Sequence, residues 1–177
     1  MTKQHAHGIE STAQVAGHPL HPMLVPFPIA SIVLALVADL IYLGTLAPFW
    51  AQGSYWLLVI GLVTGLIAGL AGLTDFLTTE PIRRLNAAWA HAIGNAGVIA
   101  LVIINLYLRW ADPVAGVTSG GLVLSIITVA LLLVTGWLGG TLVYAYHLGA
   151  MDSPPAGEEP RRAAHAGVHA SNPGHRR

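Results

Sequence analysis

Four long apolar blocks constrain this chain more than any other feature of its sequence. They cover about residues 28–46, 55–77, 87–108 and 121–147. At 1.5 Å per residue, even the shortest block forms a helix of about 28 Å, enough to cross the hydrocarbon core of a bilayer. The blocks are continuous and lack the polar–apolar alternation of barrel strands. We therefore predict four transmembrane helices.

Composition favours the same class of protein. Of the 177 residues, 54% are hydrophobic and 9% are charged, whereas a soluble domain carries about 25% charged residues. The formal net charge is zero, which gives no reason to expect a nucleic-acid partner. The chain has no cysteine, and this excludes disulfides, thiolate metal sites, iron–sulfur clusters and covalently attached haem.

Short connections between the blocks predict an all-α, up-down four-helix bundle embedded in the lipid bilayer. Proline and glycine mark the connections, at Pro48 and Gly53, at Pro81, and at Gly120 with Gly121. We expect a polar and mobile arm over residues 1–17, the membrane domain over residues 18–149, and a disordered tail over residues 150–177. The first block is too long for the apolar region of a signal peptide, so we interpret it as a retained helix.

Basic residues predict the orientation. Arg83 and Arg84 lie in the second connection, whereas the third has only Arg109 beside Asp112. Further basic residues lie in the two termini, at Lys3, Arg161, Arg162, Arg176 and Arg177. The positive-inside bias then places both termini and the second connection in the cytoplasm, with the bundle in the inner (plasma) membrane of the cell.

Glycines line one face of the second block, at Gly61, Gly65, Gly69 and Gly72. A bare face of this kind admits a flat cofactor, but it more often serves close packing between helices. It also offers a surface for homo-oligomerisation. The last block, with Gly136, Gly139 and Gly140, admits the same interpretations.

Two polar residues interrupt the apolar blocks towards the predicted outer face. Asp39 lies inside the first block and Asn105 inside the third. A charged Asp at the bilayer centre costs about 2.5–3.5 kcal/mol on insertion scales, so it should face the bundle interior or be protonated. We expect Asp39 and Asn105 to form a separate polar pair, either a proton or ligand site or a hydrogen bond between helices.

The principal candidate site lies at the predicted cytoplasmic ends of the helices. Its members, taken from four separate parts of the chain, are His18, His21, Asp75, His91, Asn95 and His147. Neutral imidazole is a common ligand of metal ions and of haem iron. We expect His21 and His91 as the first ligands and His18 and His147 next, with Asp75 as a metal ligand or as an acceptor behind a ligand.

Two kinds of cofactor are consistent with this set of residues. Two histidines from facing helices suit haem b, whereas three histidines with Asp75 suit non-haem iron, zinc or copper. A third interpretation is that the histidines only form hydrogen bonds that hold the amino-terminal segment against the bundle. No nucleophile motif or phosphate loop indicates a particular catalytic activity.

The segment Gly17-His-Pro-Leu-His-Pro-Met-Leu-Val-Pro-Phe-Pro28 resembles the opening of a bacterial family of predicted membrane proteins, domain of unknown function 2231. The resemblance covers about residues 17–149 and continues at Asp39, Gly72–Asp75, His91, Asn95, Trp137–Gly140, Tyr144 and His147. It implies electron transfer, since relatives look as though they are sometimes joined to Rieske or cytochrome c domains. The redox partner of this chain would then be a separate protein.

The leading hypothesis is therefore a redox-associated membrane protein that binds haem b or a metal ion through histidines. The alternative is a non-catalytic membrane scaffold or assembly subunit, in which the histidines are structural and the glycine faces mediate association.

Overall fold

The computed structural model describes residues 11–146 of the chain. It contains four helices long and apolar enough to cross a membrane, over Leu20–Thr45, Pro48–Thr78, Asn86–Arg109 and Pro113–Tyr146. The first consists of α1 (Leu20–Leu24) and α2 (Pro26–Thr45), and the second and third are α3 (Pro48–Thr78) and α5 (Asn86–Arg109). The fourth consists of the short helix α6 (Pro113–Gly116), a kinked turn (Val117–Gly121) in which Gly120 is non-helical, and α7 (Leu122–Tyr146). A four-residue helix, α4 (Glu80–Arg83), connects α3 to α5.

The long helices form a four-helix bundle, as predicted. Each packs on its sequence neighbour, and α2 also packs on α7, which closes the bundle. The buried centre consists of aliphatic side chains from all four helices: Ile32, Ala35, Leu58, Val98, Val102 and Leu132. Outward-facing side chains are apolar as well, including Phe27, Leu70, Ile93 and Leu133. Such a surface suits lipid, since a soluble monomer rarely exposes large contiguous apolar patches.

The α2–α3 connection differs from the sequence expectation. Pro48 and Gly53 were expected to lie in a connection, but Pro48 is the first residue of α3 and Gly53 lies within that helix. Proline is favoured at this position because its missing N–H has no partner in a helical first turn. Only Leu46 and Ala47 separate the two helices, and Leu46 ends α2 in the left-handed conformation with φ 55°.

The glycine face of α3 packs inside the bundle. A Cβ at Gly61 would lie 2.9 Å from Ile32 of α2, and one at Gly65 would lie 3.1 Å from Ile99 of α5. Gly69 has nothing within 4 Å of that position. These contacts support the interpretation of close helix packing at Gly61 and Gly65.

Residues 11–19 form a segment that we call the amino-terminal strap. It contains a two-stranded hairpin of β1 (Gln14–Val15) and β2 (His18–Pro19). Both turn residues have positive φ, 51° at Ala16 and 81° at Gly17, as tight hairpin turns require. The sequence predicts a mobile arm over residues 1–17, but hydrogen bonds from Thr12 and Ala13 to Asp75 hold the strap against α3. Residues 1–10 and 147–177 lie outside the described residues.

Candidate functional site

His21 and His91 meet at one end of the bundle, which we call the histidine end. Their ring centroids are 6.1 Å apart and the ring planes are nearly perpendicular, at 88°. His21 lies on α1, where Pro22 follows it in the first helical turn, and His91 lies on α5. Two histidines that lie 70 positions apart in the chain are therefore neighbours, which is the proximity that a shared site requires.

Each ring is anchored on a backbone carbonyl of a third or fourth helix. The Nδ1 atom of His21 lies 2.8 Å from the Ala68 carbonyl oxygen on α3. The Nδ1 atom of His91 lies 2.9 Å from the Thr135 carbonyl oxygen on α7. Because a carbonyl only accepts hydrogen bonds, Nδ1 is the protonated nitrogen of each neutral ring, and Nε2 carries the lone pair.

Asn95 completes the group from one turn further along α5. Its Nδ2 atom donates to the His91 carbonyl oxygen at 2.9 Å and lies 3.1 Å from His91 Nε2. The Nε2 atom of His91 thus accepts a hydrogen bond, whereas His21 Nε2 has no hydrogen-bond partner among residues 11–146.

Glycines make room for both rings. A Cβ at Gly72 would lie 2.8 Å from His21 Nδ1, and a Cβ at Gly139 would lie 2.8 Å from His91 Cε1. Real Cβ atoms essentially never come this close to another heavy atom. The bare backbone at these two glycines is therefore occupied by imidazole rings.

The remaining predicted residues of this site have different surroundings. His18 is exposed on β2, and His147 lies outside the described residues. Asp75 reaches the histidine end, but the described partners of its carboxylate are Ser11, Thr12 and Ala13 of the strap. Within residues 11–146, no group of three or more His, Asp or Glu side chains is placed to hold a metal ion.

A second polar cluster lies at the opposite end of the bundle, which we call the arginine end. Arg109 and Asp39 are both fully buried, and they form a two-pronged ion pair, with Nη1 donating to Oδ1 at 2.6 Å and Nη2 to Oδ2 at 2.8 Å. Arg109 also donates from Nε to Asn105 Oδ1 at 2.7 Å and from Nη1 to Ser54 Oγ at 2.8 Å. All five guanidinium donors have a partner once the bond from Nη2 to Ser125 Oγ at 3.1 Å is included.

The residues that accept hydrogen bonds from Arg109 are also hydrogen-bonded among themselves. Ser125 donates to Asp39 Oδ2 at 2.7 Å, and Asn105 Nδ2 donates to Ser125 Oγ at 3.0 Å and to the Gly121 carbonyl oxygen at 3.1 Å. The network joins α2, α3, α5 and α7, and no donor of Arg109 is left for a ligand. Its role as described is structural.

Sequence reasoning placed Asp39 and Asn105 together but missed the residue between them. Asp39 and Asn105 are linked through Arg109. The sequence predicts Arg109 in the third connection, and nothing in the sequence pattern indicates Ser54 or Ser125 as members of this network. The signal for Arg109 was present in the sequence, since a buried Asp needs a partner and Arg109 is the one basic residue in the connections on the predicted outer side.

These observations define a class, a multi-pass α-helical membrane protein with an anchored histidine pair at one end and a saturated ion-pair network at the other. The model of a family described as "Predicted membrane protein (DUF2231)" matches residues 17–152. The chain belongs to this family of predicted membrane proteins of unknown function, as the His-Pro-Leu-His-Pro segment indicated. No curated protein matches the chain, and no solved structure does.

Proposed function

We propose that the protein is a redox-associated membrane protein that binds a transition-metal ion through Nε2 of His21 and His91. The observation that carries this proposal is the anchoring of both Nδ1–H groups on backbone carbonyls. Metal-ligating histidines are usually held in this way, since the outer hydrogen bond fixes the tautomer and turns the lone pair of the other nitrogen towards the metal.

The geometry favours an ion over haem b. A macrocycle needs an open slot between helices beside the two rings, and Gly72 and Gly139 are the glycines that contact those rings. The rings of His21 and His91 already fill the space at both glycines. A small ion held by His21 and His91 would require no such slot.

Imidazole suits copper, iron and zinc. Copper or iron would give the site one-electron chemistry, with a separate protein as electron donor or acceptor. Ligation at His91 has to replace the hydrogen bond from Asn95 to Nε2. His21 and His91 leave further ligand positions to water or to a carbonyl or amide oxygen.

The orientation belongs to the same proposal. Arg83 and Arg84 lie at the histidine end, between α3 and α5. Arg109, near the arginine end, is buried and neutralised by Asp39, so it does not act as a basic loop residue. The positive-inside rule therefore supports a histidine end, and both termini, in the cytoplasm of a cell bounded by an inner membrane.

The test is metal content and spectrum of the full chain purified in detergent without chelators. We expect about one copper or iron per chain or per pair of chains, and we expect His21→Ala and His91→Ala to lose it. His18→Ala is the matched control, because His18 is exposed and lies only three residues from His21. An intense Soret band that disappears in His91→Ala would instead establish haem b.

A non-catalytic scaffold is the second candidate, and one observation favours it. Both nitrogens of His91 already have hydrogen-bond partners, Thr135 and Asn95, so this ring serves packing without any ion. In that case the purified protein is folded but metal-free, and His91→Ala lowers stability without changing metal content. Self-association through Gly69 and Gly136, which face open space, would add to this candidate.

A further inference from the structure

The Asp75 carboxylate is buried near the end of α3 and holds the beginning of the strap. Its Oδ1 accepts from the backbone N–H of Thr12 at 2.8 Å and of Ala13 at 2.7 Å, and from Thr12 Oγ1 at 3.1 Å. The Ser11 hydroxyl lies within 2.9 Å of both carboxylate oxygens. Hydrogen bonds to a charged acceptor are stronger than neutral ones, and successive backbone N–H groups form a ready site for an anion.

Hydrogen bonds within the strap connect the residues held by Asp75 to the residue before His21. The Ala13 carbonyl oxygen accepts from the Leu20 N–H at 2.8 Å, and the hairpin between them pairs Gln14 with Pro19. The residue after Leu20 is His21. Ala13, whose N–H is held by Asp75, is therefore hydrogen-bonded to Leu20, the residue immediately before His21.

The beginning of the strap and the His21 ring both contact the same face of α3. Ala68, Gly72 and Asp75 are spaced by four and three residues, so they share a face of the helix. Ala68 accepts the His21 Nδ1–H, Gly72 leaves room for the His21 ring, and Asp75 binds the strap. The ring is thus held from two sides, by its own carbonyl bond and by the segment before it.

We infer that Asp75 is a positioning residue, which fixes His21 beside His91 by holding the strap on α3. The mechanical part of this inference stands without a metal, whereas its effect on affinity rests on the proposed function. Asp75 acts at a distance from the imidazoles, through residues 11–20, and it needs no contact with an ion to do so.

The absence of cysteine from the chain makes the mechanical part directly measurable. A nitroxide on Val15→Cys would sit on the exposed side of the hairpin, and its spectrum in full-length protein reports strap mobility. We expect an immobilised label in the parent and a mobile one in Asp75→Ala. Asp75→Asn should restore most of the immobilisation, since an amide oxygen also accepts from Thr12 and Ala13 and the Ser11 hydroxyl can accept from the amide N–H.

Two further variants guard against a general loss of structure. Ser11→Ala with Thr12→Val removes the strap hydroxyls, keeps Asp75, and should mobilise the label in part. Glu80→Ala changes an exposed acidic residue paired with Arg84 at the same end, and should leave the label immobilised. An immobile label in Asp75→Ala, or equal mobility in Glu80→Ala, would overturn the inference.

The metal readout separates this inference from the proposed function. If both hold, Asp75→Ala lowers the affinity for added copper or iron about tenfold, as loss of an outer support commonly does, and Asp75→Asn recovers it. If the parent binds no metal but Asp75→Ala still mobilises the label, the site proposal fails and the positioning role stands. Unchanged affinity with a mobilised label would show that the strap does not position His21.

Discussion

Arg109 is a fully buried charged residue whose hydrogen-bond donors are all paired inside the bundle. A guanidinium has five donors and no acceptor, and here each donor has a partner on one of four helices. Gly116 and Gly121 allow that arrangement, because a Cβ at Gly116 would lie 2.7 Å from Arg109 Cγ and one at Gly121 would lie 2.9 Å from Arg109 Nε. The charge is accommodated by complete pairing and by bare backbone around it.

Removal of one partner of this ion pair should destabilise the protein strongly. We expect Asp39→Ala to lower the free energy of unfolding by about 3 kcal/mol, because it leaves a buried guanidinium without its counter-ion. The double variant Asp39→Ala with Arg109→Leu should be more stable than the sum of the single changes predicts. Reversible unfolding in detergent measures all three.

Ser54→Ala is the comparison for that cycle, since it removes one neutral partner of Nη1 but leaves the ion pair, and it should cost less, about 1 kcal/mol. Strict additivity of the two single changes would show that Asp39 and Arg109 do not act as a pair.

The two glycines Gly69 and Gly72 on α3 offer a sharp comparison at the histidine end. Gly72→Ala should displace the His21 ring, since its Cβ would lie 2.8 Å from Nδ1, whereas Gly69→Ala meets nothing within 4 Å. We expect Gly72→Ala to lower the unfolding free energy by about 1–3 kcal/mol through overpacking. Gly69→Ala should be neutral or stabilising. Thermal unfolding measures both, and equal effects would contradict the close packing of His21 on α3.

At the scale of elements, α3 organises the amino-terminal part of the chain. Along one face it receives successive parts of that segment in antiparallel order: residues 11–13 at Asp75, His21 at Gly72 and Ala68, Pro28 at Gly65, and Ile32 at Gly61. Small residues at four of these positions allow the close approach. The glycine pattern thus sets how closely α1 and α2 approach α3 and where the His21 ring lies along it.

The turn between α5 and α7 is the other element with a strict steric requirement. Gly120 has φ 129°, and a Cβ at Gly121 would lie 2.5 Å from the Gly116 carbonyl oxygen. We expect Gly121→Ala to lower the unfolding free energy by about 1–3 kcal/mol. Gly136→Ala, in open space on α7, should stabilise slightly because alanine favours a helix. Chemical denaturation of the two variants gives the comparison, and a destabilising Gly136→Ala would contradict it.

On the scale of the whole molecule, the histidine pair and the arginine network lie at opposite ends of a largely apolar bundle. From His91 to Arg109 the helix rises about 27 Å at 1.5 Å per residue, which is close to the hydrocarbon thickness of a bilayer. The layer between is mainly aliphatic, and the hydroxyl side chains of Ser31 and Thr128 are buried within it. The histidine end is joined to the strap, whereas the arginine end is a closed network, so the two ends have different chemistry.

Orientation is testable with single cysteines in this cysteine-free chain. Glu80→Cys lies at the histidine end and Ser119→Cys at the arginine end, both at exposed positions. In intact cells stripped of any outer membrane, a membrane-impermeant thiol reagent should label Ser119→Cys and spare Glu80→Cys. Both should react after lysis. The reverse pattern would place the histidine end outside.

The candidate site was predictable in part. His21, His91 and Asn95 could be placed together because helix direction and residue depth follow from the order of the spans. The partners of Asp75 could not be predicted, since they are hydroxyls and backbone N–H groups of a segment that carries no apolar pattern. The anchoring of both Nδ1 atoms on Ala68 and Thr135 was equally hidden, because every residue has a carbonyl and only packing decides which one faces a ring.

The sequence by itself determined the membrane class, the four spans and the concentration of histidines at one end, since apolar length and residue order are properties of the chain alone. The tertiary structure decided which polar groups pair. Asp39 meets Arg109 across 70 positions, and the strap meets Asp75 across more than 60. Such pairings depend on helix rotation and interhelical distance, which steric contact at a few glycines sets to within an ångström.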